Sequence, residues 1–307
     1  MTPLTWTISS QGLTRCPHSK VKEKPSDSGK RHEPKENSNT IFMKKILFTA
    51  LAAALLIAGC GQKKTIRIPE VSGHRGANCI APENTLASAD SCIKYGIQWM
   101  ECDVCISKDS VFYLLHDWTL DRTTNGEGRI EEWMSADIDT LDAGSWFGEQ
   151  WTGQRVPRFA DLLRKAHDSG LGITIDFRSG DLQELLDLIK SEDMLERCNF
   201  TFSDEELAAE FRALAPEVKT LQAYIRTPED FDRVVEKLSP DIAVFWIDGL
   251  TAELVQKCRD NGMKVLALVL GLDDKTELNQ KAVDLGVDVV ATDRPEEFIK
   301  KYGIIGK

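Results

Sequence analysis

The sequence predicts an α/β protein that folds as a (β/α)8 TIM barrel, with a small insertion after the third strand. Strand-like and helix-like segments alternate with little interruption from about residue 66 to residue 307. About eight strands can be counted there, and alternating units of this kind imply a parallel sheet. Residues 65–307 have the length of one barrel domain, so we expect the sheet to close without a second domain.

The first three strands are predicted at Ile66–Ser72, Ile97–Ile106 and Val111–Leu115. A helix is predicted at Asn84–Tyr95, because apolar residues recur there at helical spacing and Gly96 follows as a C-terminal cap. In the second strand, residues 101, 103 and 105 share one side and residues 102 and 104 the other.

The insertion is predicted at residues 118–158, where the periodicity fails. Its aromatic residues, among them Trp133, Trp146 and Trp151, lie among Gly, Asp and Thr. A stretch of this length without regular structure is usually functional in a compact domain, so it can form a wall over the site. A loop that only packs on itself is an equally good interpretation.

Regular alternation resumes after the insertion, beginning with a helix from Phe159 that ends at Gly170. Each later strand is followed by an apolar stripe at helical spacing. These strands are predicted at Gly172–Phe177, Phe200–Phe202, Val218–Tyr224, Ile242–Ile247, Met263–Leu270 and Val287–Ala291.

The N-terminal part is not expected to belong to the barrel. Residues 1–42 are polar and aperiodic, and are interpreted as a disordered or mis-assigned extension, with Met43 as the true start. Residues 43–60 combine a basic start, an apolar run and small residues before Cys60, as in a lipoprotein signal peptide with its lipobox. An uncleaved anchor helix or an incidental cysteine are the alternatives. We therefore expect an exported protein that is held at a membrane through lipidated Cys60.

Charge and cysteine content exclude some functions. The formal net charge is -11 and no basic stripe is present, which argues against a nucleic-acid partner. An acidic surface repels anions, so an anionic substrate needs a local pocket of cations. Cys102 and Cys105 are spaced like a redox pair, but residues three apart on a strand point to opposite faces, so both are interpreted as core residues.

Chemistry-bearing residues follow the predicted strands at their carboxyl ends, where barrel enzymes carry their active sites. His74 follows the first strand, Glu101 and Asp103 end the second, His116 the third and Asp176 the fourth. Two acids on one face of a buried strand are costly unless a cation compensates them. Together with two histidines, these acids predict metal-assisted phosphoryl chemistry.

Several short stretches, in order, carry a resemblance to a known family. They cover almost all of the chain from about residue 71 onward. The stretches are Gly73-His74-Arg75-Gly76, Pro82-Glu83-Asn84-Thr85, Glu101-Cys102-Asp103-Val104, Leu115-His116-Asp117, Asp121-Arg122-Thr123-Thr124-Asn125-Gly126, Val156-Pro157 and Thr292-Asp293-Arg294-Pro295. With them the chain resembles the glycerophosphodiester phosphodiesterase family, of the PLC-like phosphodiesterase superfamily, and in particular a bacterial lipoprotein member of it.

The resemblance implies a barrel, a divalent cation and hydrolysis of a glycerophosphodiester to sn-glycerol 3-phosphate and an alcohol. By position, Glu101 and Asp103 are implied as metal ligands and Arg75 as a phosphate contact. His74 and His116 are implied as the acid–base pair, with His74 assigned as base and His116 as acid. Oxygen ligands suit Mg²⁺ or Ca²⁺. By analogy with related phosphodiesterases, the glycerol hydroxyl attacks first and water then opens a cyclic phosphate.

Two positions depart from the family. Where the family has Glu-x-Lys, this chain has Asp176-Phe177-Arg178. Asp176 is still expected to bind the metal and Arg178 the phosphate, although the shorter acid and larger fork change the geometry. Leu268 stands where the family carries an aromatic residue of the pocket wall. Trp246, at a strand end, is a candidate contact for the alcohol.

Two other functions stay open at this point. A lysophospholipase D or sphingomyelinase D-like activity shares the histidines and acids, and an apolar rim from Trp133 to Trp151 would favour it. A non-catalytic binding protein on the same scaffold is the third possibility, although binding alone needs no proton donor and acceptor.

Glu83 and Asn84 are expected to cap a helix and brace the His74 loop, and Asp293 with Arg294 to form a capping or ion-pair arrangement.

Overall fold

A computed structural model of the chain describes residues 67–303, apart from 272 and 274. The predictions for residues 1–42, for the signal peptide at 43–60 with Cys60, and for the start of the first strand at Ile66 lie outside the described residues. Within the described part, no helix has the length and apolar character needed to cross a membrane.

The predicted barrel is confirmed. The strands of the described residues are β1 Glu70–Gly73, β2 Trp99–Ile106, β3 Phe112–Leu114, β4 Gly172–Phe177, β5 Cys198–Phe202, β6 Gln222–Tyr224, β7 Ile242–Trp246, β8 Lys264–Val269 and β9 Val289–Thr292. All of them except β3 run parallel, in the order β5-β4-β2-β1-β9-β8-β7-β6. A parallel bridge between Phe200 and Leu221 joins β5 to the segment that leads into β6, so the ring is nearly closed.

The helices of eight or more residues cover the outside of the barrel with an apolar face, whereas the four-residue helix Ser135–Ile138 lies in the insertion. In one of them Leu182, Leu185, Leu186 and Ile189 are buried, at the spacing of a single helix face. The helices are α1 Leu86–Tyr95, α2 Ser135–Ile138, α3 Phe159–Ser169, α4 Leu182–Ser191, α5 Glu205–Leu214, α6 Asp230–Leu238, α7 Ala252–Asp260, α8 Thr276–Leu285 and α9 Pro295–Tyr302. The main core lies between these helices and the sheet, and includes Cys102.

The third strand does not join the barrel, so that part of the prediction is wrong. β3 pairs antiparallel with β2, with Val104 opposite Leu114. Only residues 107–111 connect the two strands, whereas a parallel crossover needs a dozen or more residues. β3 therefore forms a hairpin with β2 and opens the insertion, and Asp176 lies on the third barrel strand instead of the fourth.

The insertion has a small core of its own. Tyr113, Leu120, Ile130, Ile138 and Leu141 are buried together with neighbouring apolar residues. The self-packed interpretation therefore holds for most of residues 118–158. Its beginning also reaches the barrel mouth, because Trp118 lies 6.0 Å from the guanidinium of Arg178.

Candidate active site

One cavity at the carboxyl ends of the barrel strands brings together most of the predicted site residues. It measures about 120 Å³. His74, Glu101, Asp103, His116, Asp176 and Trp246 all line it. The opposite wall is apolar, with Val244, Leu266, Leu268, Leu270 and Ala291. The cavity therefore has a charged half on β1, β2 and β4 and an apolar half on β7, β8 and β9.

Three carboxylates form the charged half. One oxygen each of Glu101, Asp103 and Asp176 lies within 4.8 Å of the others. Asp103 and Asp176 are direct neighbours across β2 and β4. Burial, together with the negative charge of Asp103, raises the pKa of Glu101 well above its usual range and raises the pKa of Asp176 to about 7. Ionisation of Glu101 and Asp176 is therefore unfavourable unless more positive charge comes close to them.

The donor set fits a divalent cation. Oδ1 of Asp176 is buried and has no hydrogen-bond partner among the described residues. An oxygen in that state is costly in the protein alone and is satisfied when it binds a cation. Three carboxylates are the ligands that hard divalent cations prefer. The cluster of Glu101, Asp103 and Asp176 could therefore hold such an ion.

The turn after β1 brings backbone groups to the carboxylates. Arg75 has a positive φ of 53°, and its backbone N–H donates to Oε2 of Glu101 at 2.7 Å. Gly76 follows with φ of 84°, where a Cβ would lie 2.3 Å from Oγ of Ser88. The tight packing against α1 therefore requires glycine at position 76, which explains the glycine of the His-Arg-Gly triplet.

Asn84 serves the site directly. Its Nδ2 donates to Oδ2 of Asp103 at 2.8 Å, and its Oδ1 accepts from the backbone N–H of Asp103 at 3.2 Å. The helix cap predicted for this residue is made by its neighbour, since Thr85 is the N-cap of α1. Asn84 therefore fixes a carboxylate of the site, and its capping role is wrong.

The two predicted substrate-binding arginines lie beside the carboxylates and are not among the residues that line the cavity. Arg75 donates to Oε1 of Glu83 at 3.0 Å, and Arg178 donates to Oδ2 of Asp176 at 3.4 Å. Nε of Arg75 lies 3.6 Å from Oδ2 of Asp103. Both guanidinium groups therefore offset the charge of the acid cluster, close to where a phosphate would meet it.

His74 is paired with an aspartate from the far end of the sequence. Its Nδ1 lies 2.6 Å from Oδ1 of Asp293, and Asn78 donates to the same oxygen at 2.5 Å. Burial lowers the pKa of His74, but the hydrogen bond to Asp293 and the charge of Glu101 outweigh it, so the pKa is raised overall. The bond engages Nδ1 and leaves Nε2 for proton transfer.

His116 has the same arrangement with an adjacent aspartate. Its Nδ1 lies 2.6 Å from Oδ1 of Asp117. Asp117 in turn accepts from Nε of Arg122 at 2.7 Å. That bond to Arg122 is the main cause that lowers the pKa of Asp117 to about 2. Two histidines with aspartate-bound Nδ1 atoms thus line one cavity.

The aromatic residues of the site differ from the prediction in part. Trp246 is 56% exposed at the cavity mouth. Trp133, Trp146 and Trp151 are not among the residues that line the cavity, and Trp146 packs on Phe147 at 5.5 Å between ring centroids. The apolar rim that would favour a lysophospholipase D is therefore not formed by this segment.

Asp293 and Arg122 are the site residues that the sequence interpretation missed. Asp293 was expected to form a capping or ion-pair arrangement with Arg294, and that partner is wrong. Its hydrogen-bond contacts are His74, Asn78 and the backbone N–H of Gly271. A signal existed, since the last strand of a closed barrel pairs with the first. The residue after β9 must then lie beside the residue after β1.

Comparison with known proteins agrees with the fold. The glycerophosphoryl diester phosphodiesterase family profile matches residues 74–297. A glycerophosphodiester phosphodiesterase of Caldanaerobacter subterraneus subsp. tengcongensis is 29% identical over 236 residues, which cover 75% of this chain and 96% of that protein.

Solved structures are similar over the same region. The glycerophosphodiester phosphodiesterase of Agrobacterium tumefaciens str. C58 has a TM-score of 0.69 and 30% identity, covering 76% of this chain and 99% of its own. A phosphodiesterase of Oleispira antarctica, solved with the product sn-glycerol-3-phosphate, has a TM-score of 0.69 and 27% identity, covering 76% of this chain and 96% of its own. The chain belongs to the glycerophosphoryl diester phosphodiesterase family, a family of phosphoric diester hydrolases.

Proposed function

We propose that this chain hydrolyses glycerophosphodiesters to sn-glycerol 3-phosphate and an alcohol with the help of Mg²⁺ or Ca²⁺. Glu101, Asp103 and Asp176 would hold the cation, which supplies positive charge to the phosphoryl oxygens when bound. The observation that carries the proposal is the pair of histidines, each with an aspartate 2.6 Å from Nδ1, at the same cavity as the acids.

The histidines divide the proton transfers. His74 accepts the proton of the glycerol 2-hydroxyl as that oxygen bonds to phosphorus. His116 donates a proton to the alcohol oxygen as its bond to phosphorus breaks. Water then opens the cyclic phosphate, with the two histidines in exchanged roles. We assign Arg75 and Arg178 to stabilise the anionic phosphoryl group, because both guanidinium groups lie next to carboxylates of the site.

The lining of the cavity favours the glycerol end of the substrate, because polar side chains stand in it beside the acids. Ser72 and Gln222 are among the residues that line it. Oγ of Ser72 and Nε2 of Gln222 are buried and have no hydrogen-bond partner among the described residues. We assign the glycerol end to this polar part of the cavity, and the alcohol to the mouth beside Trp246.

The test is release of glycerol 3-phosphate from glycerophosphocholine, glycerophosphoethanolamine and glycerophosphoinositol by the purified chain. Each substrate is assayed with Mg²⁺, Ca²⁺ or a chelator, beside His74→Ala. We expect cation-dependent product that falls by about 10²–10⁴-fold in the variant, the usual contribution of a general base. The choice of cation and the order of head groups follow from the same assay.

The alternatives predict different outcomes in this assay. Release of choline from lysophosphatidylcholine without product from the three deacylated diesters would replace the proposal by a lysophospholipase D activity. Tight binding of a diester without turnover under any cation would replace it by a binding protein. Product that survives in His74→Ala would remove His74 from the mechanism.

We also propose that the enzyme is an exported lipoprotein, which rests on the sequence of residues 43–60 alone. Lipidation of Cys60 would hold the barrel near phospholipids and their deacylated products. In cells of a bacterial host, Cys60→Ser should move the protein from the membrane fraction to the soluble fraction. A variant that stays in the membrane fraction, with an unchanged mass at its N-terminus, would contradict the anchor.

A further inference from the structure

Arg122 makes four hydrogen bonds to two carboxylates. Its Nε and Nη2 donate to Asp117 at 2.7 and 3.1 Å. Its Nη1 and Nη2 donate to Glu83 at 2.9 and 2.8 Å. Arg122 lies in the Asp-Arg-Thr-Thr-Asn-Gly stretch, to which the proposed function assigns no role.

Both carboxylates reach the site on their other side. Oδ1 of Asp117 lies 2.6 Å from Nδ1 of His116. Oε1 of Glu83 accepts from Nη1 of Arg75 at 3.0 Å. A continuous chain of charged contacts thus runs from His116 through Arg122 to Arg75, and so from the insertion to the turn after β1.

The geometry makes Arg122 hard to replace. A guanidinium is a rigid planar fork that can bind two carboxylates at once, whereas an ammonium acts as a point charge. Glu83 is mostly buried between two arginines, and the hydrogen bond to Arg122 with the charge of Arg75 lowers its pKa in spite of that burial. Both carboxylates are therefore ionised and are directed by the fork.

We propose that Arg122 is a positioning residue that fixes the imidazole of His116 and the guanidinium of Arg75 through Asp117 and Glu83. The inference rests on the proposed function, in which His116 protonates the leaving alcohol. Without Arg122, Asp117 and Glu83 each lose the hydrogen bonds that hold the side of the carboxylate away from the site. The His116 ring then loses its fixed direction toward the leaving oxygen, and Arg75 its fixed direction toward the phosphate.

The dependence on the leaving group separates this role from a purely structural one. An alkyl alcohol needs a proton to leave, whereas p-nitrophenolate leaves without one. For Arg122→Gln we expect kcat on glycerophosphoethanolamine to fall by about 10- to 100-fold, the usual cost of losing an outer partner. The kcat on the p-nitrophenyl ester of glycerol 3-phosphate should change by less than about threefold. Here kcat is the single-turnover rate constant for release of the alcohol at saturation, because His116 also acts when water opens the cyclic phosphate, a step that both substrates share. KM should rise for both substrates, because Arg75 meets the phosphate in each. Arg122→Lys should behave like Arg122→Gln.

Two controls complete the design. His116→Ala should show the same preference for the p-nitrophenyl ester, and the double variant should fall no further on the alkyl substrate than His116→Ala alone. Arg158→Gln is the matched control, because Arg158 also binds one carboxylate with two donors, at Asp139 in the insertion. It should leave the ratio of the two kcat values unchanged.

The outcomes separate the inference from the function beneath it. If His116→Ala discriminates between the leaving groups but Arg122→Gln lowers both kcat values equally, Arg122 only holds the insertion in place and the inference is wrong. If His116→Ala itself lowers both equally, the acid role in the proposed function is wrong, and the inference fails with it. An Arg122→Gln enzyme with unaltered kcat and KM would also overturn it.

Discussion

Replacing Asp176 by asparagine should remove most of the hydrolytic activity and, without a divalent cation, should raise the melting temperature. One oxygen of Asp176 lies within 4.8 Å of oxygens of Glu101 and Asp103. Removal of one ligand should lower kcat by about 10²-fold or more, the scale of losing one strong electrostatic contact in an active site. The two remaining carboxylates meet less repulsion, so the cation-free fold gains stability.

The pH dependence follows from the direction of the pKa shift. Burial and the charge of Asp103 raise the pKa of Asp176 to about 7 in the folded protein, whereas it is about 4 in an unfolded chain. Ionisation of this group therefore disfavours the folded state. In chelator, Tm of the parent chain should fall as pH rises from about 4 to about 7, and Tm of Asp176→Asn should fall less over that range.

With a bound cation, the parent chain should have a higher Tm than Asp176→Asn, the reverse of the order in chelator. Binding to the folded state alone raises Tm of the parent, while the variant lacks a ligand and should respond weakly. Differential scanning calorimetry with Mg²⁺, Ca²⁺ or chelator, across the same pH range, measures Tm of both proteins under each condition. Asp204→Asn is the matched control, since Asp204 is the exposed N-cap of α5, where asparagine caps equally well. An Asp176→Asn protein that the cation stabilises as strongly as the parent would contradict the assignment of this ligand.

The barrel could be predicted from the sequence because its signals are local and repeated. Each helix face, such as Leu182, Leu185 and Leu186 on α4, shows its period within a few residues. The grouping of His74, Glu101 and Asp176 followed from the rule that strand ends of a barrel meet at one mouth. These three residues line the same cavity, as that rule requires.

The hairpin of β2 and β3 was not predicted, although its reason is simple. Val111–Leu115 has the composition of a strand, and composition does not distinguish parallel from antiparallel pairing. The length of the connection does, because residues 107–111 cannot hold a crossover helix. His116 still reaches the cavity, since the chain leaves β3 toward the same mouth.

The partners of the site residues could not be predicted in the same way. The contact of His74 with Asp293 spans 219 positions, and that of Arg122 with Glu83 spans 39. Such pairs depend on side-chain directions after the strands have closed, and several carboxylates compete for each cation. The adjacency of the strands narrows the choice of partner, and it would have favoured Asp293 as the partner of His74.

Asp293→Asn should reduce kcat/KM strongly by disturbing the protonation of His74. Oδ1 of Asp293 meets Nδ1 of His74 and Nδ2 of Asn78, and Oδ2 accepts from the backbone N–H of Gly271 at 2.6 Å. An asparagine has only one acceptor atom. If its oxygen faces Gly271, its amide donates to Nδ1 and imposes the wrong tautomer. If its oxygen faces His74, its NH2 group faces the backbone N–H of Gly271, and two donors oppose each other without an acceptor. Loss of the equivalent carboxylate in a serine protease costs about 10⁴-fold.

The pH profile distinguishes this role from loss of fold. Asp293 helps to raise the pKa of His74, so its replacement by a neutral amide lowers that pKa. A histidine that acts as base must be neutral, and the acid limb of kcat/KM should therefore move to lower pH in the variant. Asp241→Asn makes the same change at the opposite end of the barrel, where Asp241 accepts from Leu221 and Arg212, and should leave the limb in place. Among the described residues, Asp293 is the carboxylate that bonds to His74, so no other bonded carboxylate can replace its effect on the pKa. An acid limb that stays at the same pH in Asp293→Asn would therefore show that a group other than His74 controls it.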